Sequence, residues 1–239
     1  MKIKHPKKSL GQNFLTDKNI VDIIINAGDI NKNDTILEVG PGTGRLTEKI
    51  LSKNPRKVFA VEKDKFLAKK LSEKFREKII LINDDILKID EKKYSNNPII
   101  VFGNLPYNIS TQILVKWIRY KNLNNTFKKF ILMFQKEVAE RIIAETNSKN
   151  YGRLAVLSSW KLQIEKIVDV SPNSFYPVPK VKSTVLLIKP KSEYFNLKNS
   201  KNLEHITNIF FNQRRKMIKK PLNIIFKNVN EISKKLNIN

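Results

Sequence analysis

The segment Leu37-Glu38-Val39-Gly40-Pro41-Gly42-Thr43-Gly44 decides how the chain is read. It closes an apolar run over 35–39 and opens a helix-like stretch over 44–53. The chain holds only seven glycines in 239 residues, and three of them stand at alternate positions here. Glycine between a strand and a helix lets the backbone turn sharply and lie close against a ligand. A tight turn without a ligand is the plainer alternative, and the scarcity of glycine elsewhere weighs against it. The spacing is G-x-G-x-G, whereas the dinucleotide fingerprint is G-x-G-x-x-G, and position 45 is Arg. Glu38, just before the loop, is expected to repel a diphosphate. Both features favour a donor with a cationic, amino-acid-like end, which describes S-adenosylmethionine.

Outward from this loop, apolar strand candidates fall at 35–39, 57–61, 78–82, 98–103, 128–134, 163–170 and 183–189. Helical periodicity fills 17–27, 44–53, 64–75, 108–120, 136–146 and 153–162. The first five strands are nearly continuous apolar runs, as expected for strands covered on both faces. Alternating strands and helices predict an α/β fold with a mostly parallel sheet. No helix separates the last two strands, which a Pro-rich stretch joins, so they are expected to pair as an antiparallel hairpin at one edge. After Pro190 the strand pattern stops. Apolar positions such as Leu203, Ile206, Phe210, Leu222 and Phe226 predict a small all-α C-terminal domain over 191–239, following a catalytic domain over 1–190.

The strand ends carry the other chemical signals. Glu62 ends the second strand, where a carboxylate can accept hydrogen bonds from both ribose hydroxyls. Asn83-Asp84-Asp85 follows the third, and either aspartate can accept from the exocyclic amine of adenine or simply cap a helix. After the fourth comes Gly103-Asn104-Leu105-Pro106-Tyr107-Asn108, an Asn-x-Pro-Tyr arrangement of the kind used to methylate an exocyclic amine. Such a nitrogen is a poor nucleophile because its lone pair is delocalised into the ring. The Asn104 side-chain oxygen and the Leu105 carbonyl can each accept one N–H and localise that pair. Pro106 fixes the loop, and Tyr107 can stack on a flipped-out base.

Composition narrows the field further. Lys and Arg number 46 against 22 Asp and Glu, a net charge of +24, which calls for an anionic partner, nucleic acid first. A genome bias toward Lys, Asn and Ile is the bland alternative. The charge concentrates at Lys2, Lys4, Lys7 and Lys8, and again at Gln213-Arg214-Arg215-Lys216 with Lys219 and Lys220. There is no cysteine, which excludes a disulfide framework, thiolate-bound zinc and the cysteine nucleophile that methylation at a pyrimidine ring carbon usually needs. Only His5 and His205 are available as imidazole ligands, so no metal site is expected. No apolar run reaches the roughly 18 residues of a membrane span, and MKIKHPKKSL has no apolar signal core, so a cytoplasmic protein without a membrane partner is expected.

With these residues in place, the sequence resembles the rRNA adenine N6,N6-dimethyltransferase family over nearly its whole length. The likeness runs through Lys8-Ser9-Leu10-Gly11-Gln12-Asn13-Phe14-Leu15, the glycine loop, Asn104-Leu105-Pro106-Tyr107-Asn108-Ile109-Ser110 and Gln135-Lys136-Glu137-Val138-Ala139-Glu140-Arg141. It continues in Tyr151-Gly152-Arg153-Leu154, Phe175-Tyr176-Pro177-Val178-Pro179-Lys180-Val181 and Phe211-Asn212-Gln213-Arg214-Arg215-Lys216. The resemblance implies a seven-stranded Rossmann-like S-adenosylmethionine fold and cofactor contacts at Asn13, Leu15, Gly40, Gly42, Glu62, Asp85 and Asn104. It favours Asp85 over Asp84. It makes Asn104, Leu105, Pro106 and Tyr107 the catalytic loop, with Phe175 as a second aromatic face opposite Tyr107; without the family, Phe175 reads equally well as core. The C-terminal run is similar to the bacterial small-subunit branch, which dimethylates two adjacent adenines in a hairpin loop near the 3′ end of 16S rRNA, rather than the large-subunit branch linked to macrolide resistance. The implied partner is small-subunit rRNA or an immature small subunit, met by a monomeric enzyme. One departure is Lys182, where the family commonly has Asp.

Overall fold

Strand β1 (Phe14–Leu15) and helix α1 (Lys18–Gly28) lead into a regular alternation: β2 (Thr35–Val39), α2 (Arg45–Ser52), β3 (Lys57–Val61), α3 (Lys65–Phe75), β4 (Ile80–Ile82) and β5 (Ile99–Asn104). Then follow α4 (Ser110–Ile118), the short α5 (Leu123–Thr126), β6 (Phe127–Gln135), α6 (Lys136–Ile142), α7 (Arg153–Lys161), β7 (Leu162–Val170), β8 (Phe175–Tyr176) and β9 (Ser183–Pro190). Helices α8 (Ser200–Asn212), α9 (Lys219–Ile225) and α10 (Val229–Leu236) complete the chain. The structure is a computed structural model, and it describes residues 6–7, 10–212 and 217–237. His5, Lys2, Lys4, Lys8 and the run 213–216 lie outside the described residues.

Local chemistry accounts for the helix boundaries. Asp17 accepts hydrogen bonds from the Asn19 and Ile20 amides at 2.9 and 3.3 Å and so caps α1. Asp64 does the same for α3, accepting from the Phe66 amide at 2.9 Å. In α1, Val21, Ile24, Ile25 and Gly28 are buried, the spacing of one helical stripe facing a core. Pro221 sits in the first turn of α9, where its missing N–H costs no helical bond.

The main sheet has the strand order β4-β3-β2-β5-β6-β9-β7. The five strands β2 to β6 are parallel, and β9 runs antiparallel to both β6 and β7, so the expected hairpin lies at one edge with β9 on its inner side. Alternate residues feed two cores. Ile36, Val58, Ala60, Ile100 and Phe102 pack against α1, α2 and α3. Leu37, Val39, Phe59, Val61 and Val101 face the opposite way, toward Ile113, Leu114 and Trp117 of α4. A second, two-stranded sheet joins β1 to β8 antiparallel, Leu15 opposite Phe175 and Phe14 opposite Tyr176. Strands of two residues have no period to recognise, so sequence reading passed over them.

Several expected boundaries move, and the helix expected over 108–120 spans Ser110–Ile118. The third parallel strand starts at Ile80, because Arg76–Lys78 forms a 3-10 turn with Arg76 at a positive φ of 48°. The helix expected over 136–146 ends at Ile142. Beyond β9 the backbone is held to the sheet region by polar anchors: the Trp160 indole N–H donates to the Phe195 carbonyl at 2.7 Å and the Tyr194 hydroxyl to the Lys121 carbonyl at 2.6 Å. The Arg119 guanidinium grips Glu204 of α8 with two bonds of 2.7 Å.

Gly28 exposes how tightly α1 is seated. A Cβ placed there would lie 2.2 Å from the ring of Phe102, which is wholly buried. Gly28→Ala is expected to lower the unfolding free energy by about 1–3 kcal/mol, the usual cost of overpacking a well-filled core. Urea unfolding followed by circular dichroism checks this; an unchanged midpoint would show that Phe102 has room to yield.

Candidate functional site

The register of the sheet builds the site. Val39 pairs with Val61 on one side and with Gly103 on the other, so Gly40, Glu62 and Asn104 come level at the carboxyl ends of β2, β3 and β5. The strand order reverses here, β2 having β3 and β5 as its two neighbours, which is where open α/β sheets bind ligands. A cavity of about 1100 Å³, counting its open mouth, occupies this crevice. Its walls include Gly40, Gly42, Glu62 and Asp85 on one side and Asn13, Leu15, Asn104, Leu105, Pro106 and Tyr107 on the other.

The glycine loop is left-handed at Gly40, Gly42 and Gly44, with φ of 66°, 57° and 79°. At the last two, side chains are barred twice over. A Cβ at Gly42 would meet the Phe14 ring at 2.8 Å, and one at Gly44 would meet the Phe75 ring at 2.5 Å. At Gly40 an added Cβ would find nothing nearer than the Asn104 carbonyl oxygen at 3.9 Å, so its bare face opens on the cavity.

The carboxylates around the donor end differ in environment. Glu62 is buried, and burial raises its carboxyl above the ordinary range, though amide bonds from Asp64 at 2.9 Å and Gly42 at 3.3 Å oppose that. Asp85 is pulled upward by burial but held lower overall by Lys63, whose ammonium lies 2.8 Å away, and by the Leu87 amide. Asp85 therefore both caps the 3-10 turn Ile86–Lys88 and borders the cavity. Asp84 borders it too, and its carboxylate accepts from the Asp85 amide at 2.6 Å.

At the acceptor end the Asn104 side-chain nitrogen donates to the Asn13 carbonyl at 2.8 Å. That commits the nitrogen to backbone and makes the amide oxygen the end available to an incoming N–H. The Tyr107 hydroxyl lies 2.6 Å from the Ser183 hydroxyl, and burial raises its pKa against that bond's opposing pull. The N-terminal segment is tied down across the cavity: Lys7 reaches Asp64 at 3.0 Å and the Gln12 amide donates to the same carboxylate at 3.1 Å. Sequence reading missed Lys63, Arg45, Ser183 and Gln12 at this site. Arg45 and Lys63 directly follow Gly44 and Glu62 in the chain, whereas Gln12 and Ser183 are brought in by the wrap of the N-terminus and the β9 register.

Two residues lie off the cavity wall. Glu38 does not face the cavity. It points to the other side of β2, is 1 % exposed, and accepts the Thr47 hydroxyl of α2 at 2.6 Å, while its second oxygen has no partner. Its hydrogen bond ties β2 to α2 behind the loop, and it does not touch the cavity. Phe175 is not brought to the cavity wall either. It is 2 % exposed and belongs to the core that holds Leu15, whereas the ring of its neighbour Tyr176 is 55 % exposed.

The arrangement suits a nucleoside-bearing donor with a positive centre: Glu62 and Asp85 offer two carboxylates as acceptors, and the bare face of Gly40 leaves room for close approach. Among the described residues no group of three His, Cys, Asp or Glu side chains is placed to hold a metal, and no helix is long and apolar enough to cross a membrane.

Comparison with known proteins agrees with this geometry. The family model for ribosomal RNA adenine dimethylase matches residues 3–239. The chain is 56 % identical over 232 residues to ribosomal RNA small subunit methyltransferase A of Pelagibacter ubique, covering 97 % of this chain and 88 % of that one. It is 44 % identical to the protein of the same name from Ehrlichia ruminantium, covering 98 % and 89 %. Among solved structures, a dimethyladenosine transferase from Plasmodium falciparum superposes with a TM-score of 0.76 at 29 % identity, covering 95 % of this chain and 82 % of that one. The 23S rRNA methyltransferase ErmE shares the fold, with a TM-score of 0.69 at 24 % identity over 95 % of this chain and 91 % of that one.

Burial, first, and the charge of Glu62 push the Glu38 carboxyl up to about 7 from an ordinary 4.5. A raised carboxyl means that the folded chain binds a proton the unfolded chain has released. The stabilisation is thus whole below about pH 4.5 and fades as pH climbs through about 7. Glu38→Gln is expected to flatten that part of the stability profile and to gain on the parent protein above pH 7. Parallel unfolding curves at pH 5 and pH 8 test this; an equal loss in both proteins would remove Glu38 as the cause.

Proposed function

The chain belongs to the ribosomal RNA adenine dimethylase family, and from that premise we propose that it transfers methyl groups from S-adenosylmethionine to the N6 amines of two adjacent adenines in a hairpin loop near the 3′ end of 16S rRNA, giving N6,N6-dimethyladenosine during ribosome biogenesis. The observation that carries this is the level alignment of Gly40, Glu62 and Asn104, which sets a donor cradle directly beside the Asn-Leu-Pro-Tyr turn.

Residue roles follow from that alignment. Glu62 accepts the ribose hydroxyls, and Asp85 accepts from the adenine amine of the donor. Asn13 and Leu15 close the crevice over it, and Gly40 and Gly42 let the backbone approach. When bound, S-adenosylmethionine supplies an electrophilic methyl group. The Asn104 oxygen and the Leu105 carbonyl each take one N–H of the target amine, which localises its lone pair and aims it at that methyl. Pro106 holds the turn, and Tyr107, braced through Ser183, offers its ring to the extruded base. A strong base is unnecessary, because the proton can leave after transfer. Rate enhancement comes chiefly from holding nitrogen and methyl carbon within about 3–3.5 Å and in line.

The basic surface serves the RNA. Residues 1–190 act as the catalytic unit and 191–239 as a helical unit, in a monomer working in the cytoplasm on immature small subunits. The relatives' names, ribosomal RNA small subunit methyltransferase A, support the small subunit as the target.

Asn104→Ala is expected to cut transfer by about 100-fold or more, since the amine loses its orienting acceptor, while RNA affinity stays close to that of the parent. Tritiated methyl incorporation into unmodified small subunits, with filter binding alongside, measures both; undiminished incorporation would refute the role given to Asn104. RNA affinity is also expected to fall linearly on a log–log plot against salt, as phosphate contacts release counterions. A flat plot would contradict the electrostatic contribution assigned to the lysines.

A further inference from the structure

We propose that Lys116 is a positioning residue for the adenine end of the donor: it sets the shape of the loop that carries Asp85, although it lies off the cavity wall itself. This deepens the function above and rests on the assignment of Asp85 and its turn to the donor's adenine.

Lys116 sits on α4 with its side chain 18 % exposed. Its ammonium has three N–H groups and three acceptors: the Ile86 carbonyl at 2.7 Å, the Ile89 carbonyl at 2.5 Å and the Glu91 carboxylate at 2.7 Å. Ile86 follows Asp85 and is itself on the cavity wall. The bonds therefore seize the backbone at both ends of the 3-10 turn that Asp85 caps. Strand β4 is short, and no strand runs between it and β5, so no sheet ladder shapes this stretch. Side-chain bonds from α4 do so instead.

Glu91 anchors the arrangement from below. It is wholly buried, and its two oxygens also accept the Trp117 indole N–H at 2.6 Å and the Tyr120 hydroxyl at 2.5 Å. Trp117 and Lys116 are neighbours on α4, and α4 starts at Ser110, directly after the acceptor turn, where the Ile109 amide donates to the Pro106 carbonyl at 3.1 Å. One helix thus carries the acceptor turn at its start and the clamp on the donor loop near its end.

A simpler role for Lys116 is to neutralise the buried charge of Glu91, which would be costly unpaired. The two roles separate in a double variant. Glu91→Gln with Lys116→Met leaves no buried charge but also leaves the Ile86 and Ile89 carbonyls without their donor. Lys116→Arg keeps both charge and N–H groups.

The experiment is calorimetric titration of the full chain and its variants with S-adenosylmethionine and S-adenosylhomocysteine, with KM for the donor, kcat, RNA affinity and thermal midpoint measured on the same samples. Lys116→Met and the double variant are each expected to weaken donor binding about tenfold, the scale of losing a buried hydrogen-bond partner. The donor KM should rise in step, with kcat at saturating donor within about twofold of the parent and RNA affinity unchanged. Lys116→Arg should recover most of the affinity. If Lys116→Met is too unstable to assay, the double variant carries the comparison, because it holds no unpaired buried charge. Parental donor affinity in the double variant would overturn the proposal and leave Lys116 as a counter-ion. A fall in kcat with unchanged KM would overturn it too. Failure of the underlying assignment looks different: Asp85→Ala would leave donor affinity untouched.

Discussion

The parallel pairing of β2 with β3 on one side and β5 on the other is the constraint on which the rest depends. In parallel strands the carboxyl ends point the same way, and a matched register brings them level. Gly40, Glu62 and Asn104 are separated by 22 and 42 positions along the chain, yet each is the residue on which its strand runs out. A slip of one residue in β5 would turn Asn104 to the other face and put Leu105 in its place. The register is protected by burial: Ile36, Leu37, Ile99, Ile100 and Val101 are each at most 1 % exposed, and a slipped strand would have to exchange its residues between the two cores.

Charge in this protein is handled in two ways. The acids inside are each committed to donors: Glu38 to Thr47, Glu62 to the Asp64 and Gly42 amides, Glu91 to Lys116, Trp117 and Tyr120. Among the acids of the described residues, only Glu38 has a buried oxygen left over. Outside, acids meet lysines and arginines, as at Asp169, whose carboxyl Lys166 and then Thr184 hold down at about 2. Because cations outnumber acids by 24, full pairing would still leave a large positive excess at the surface, where it can meet phosphate. The same excess makes acidic pockets matter. The cavity is lined by Glu62, Asp84 and Asp85 against Lys63 and Arg45, so a cationic ligand end is not simply repelled.

The acceptor side is assembled from distant parts. Asn104 is steadied by the Asn13 backbone 91 residues earlier, and Tyr107 by Ser183, 76 residues later. The second of these partners belongs to β9, the strand inserted antiparallel between β6 and β7. The edge hairpin therefore has a use beyond closing the sheet: it delivers the hydroxyl that braces the aromatic ring. Lys182, the departure from the family's usual Asp, is the residue just before Ser183; it is exposed, and its carbonyl accepts the Lys136 amide at 2.9 Å, a bond any residue type can make.

Much of this was legible in the linear chain. Nearly continuous apolar runs bounded by helix-like stretches determined the alternation of strands and helices, and the three glycines, Glu62, Asp84-Asp85 and the Asn-Leu-Pro-Tyr turn marked the strand ends that form the cavity. These signals are local: each depends on residues within a few positions of one another. Tertiary structure alone decided which way Glu38 and Phe175 point, that β1 and β8 pair, and that Lys63, Ser183 and Lys116 stand behind the residues a motif can name. Those outcomes depend on which strand lies beside which and on the face each side chain is dealt, and a pair such as Lys116 and Glu91 has no spacing rule because its contact is made through space, between a helix and a loop that only the folded sheet brings together.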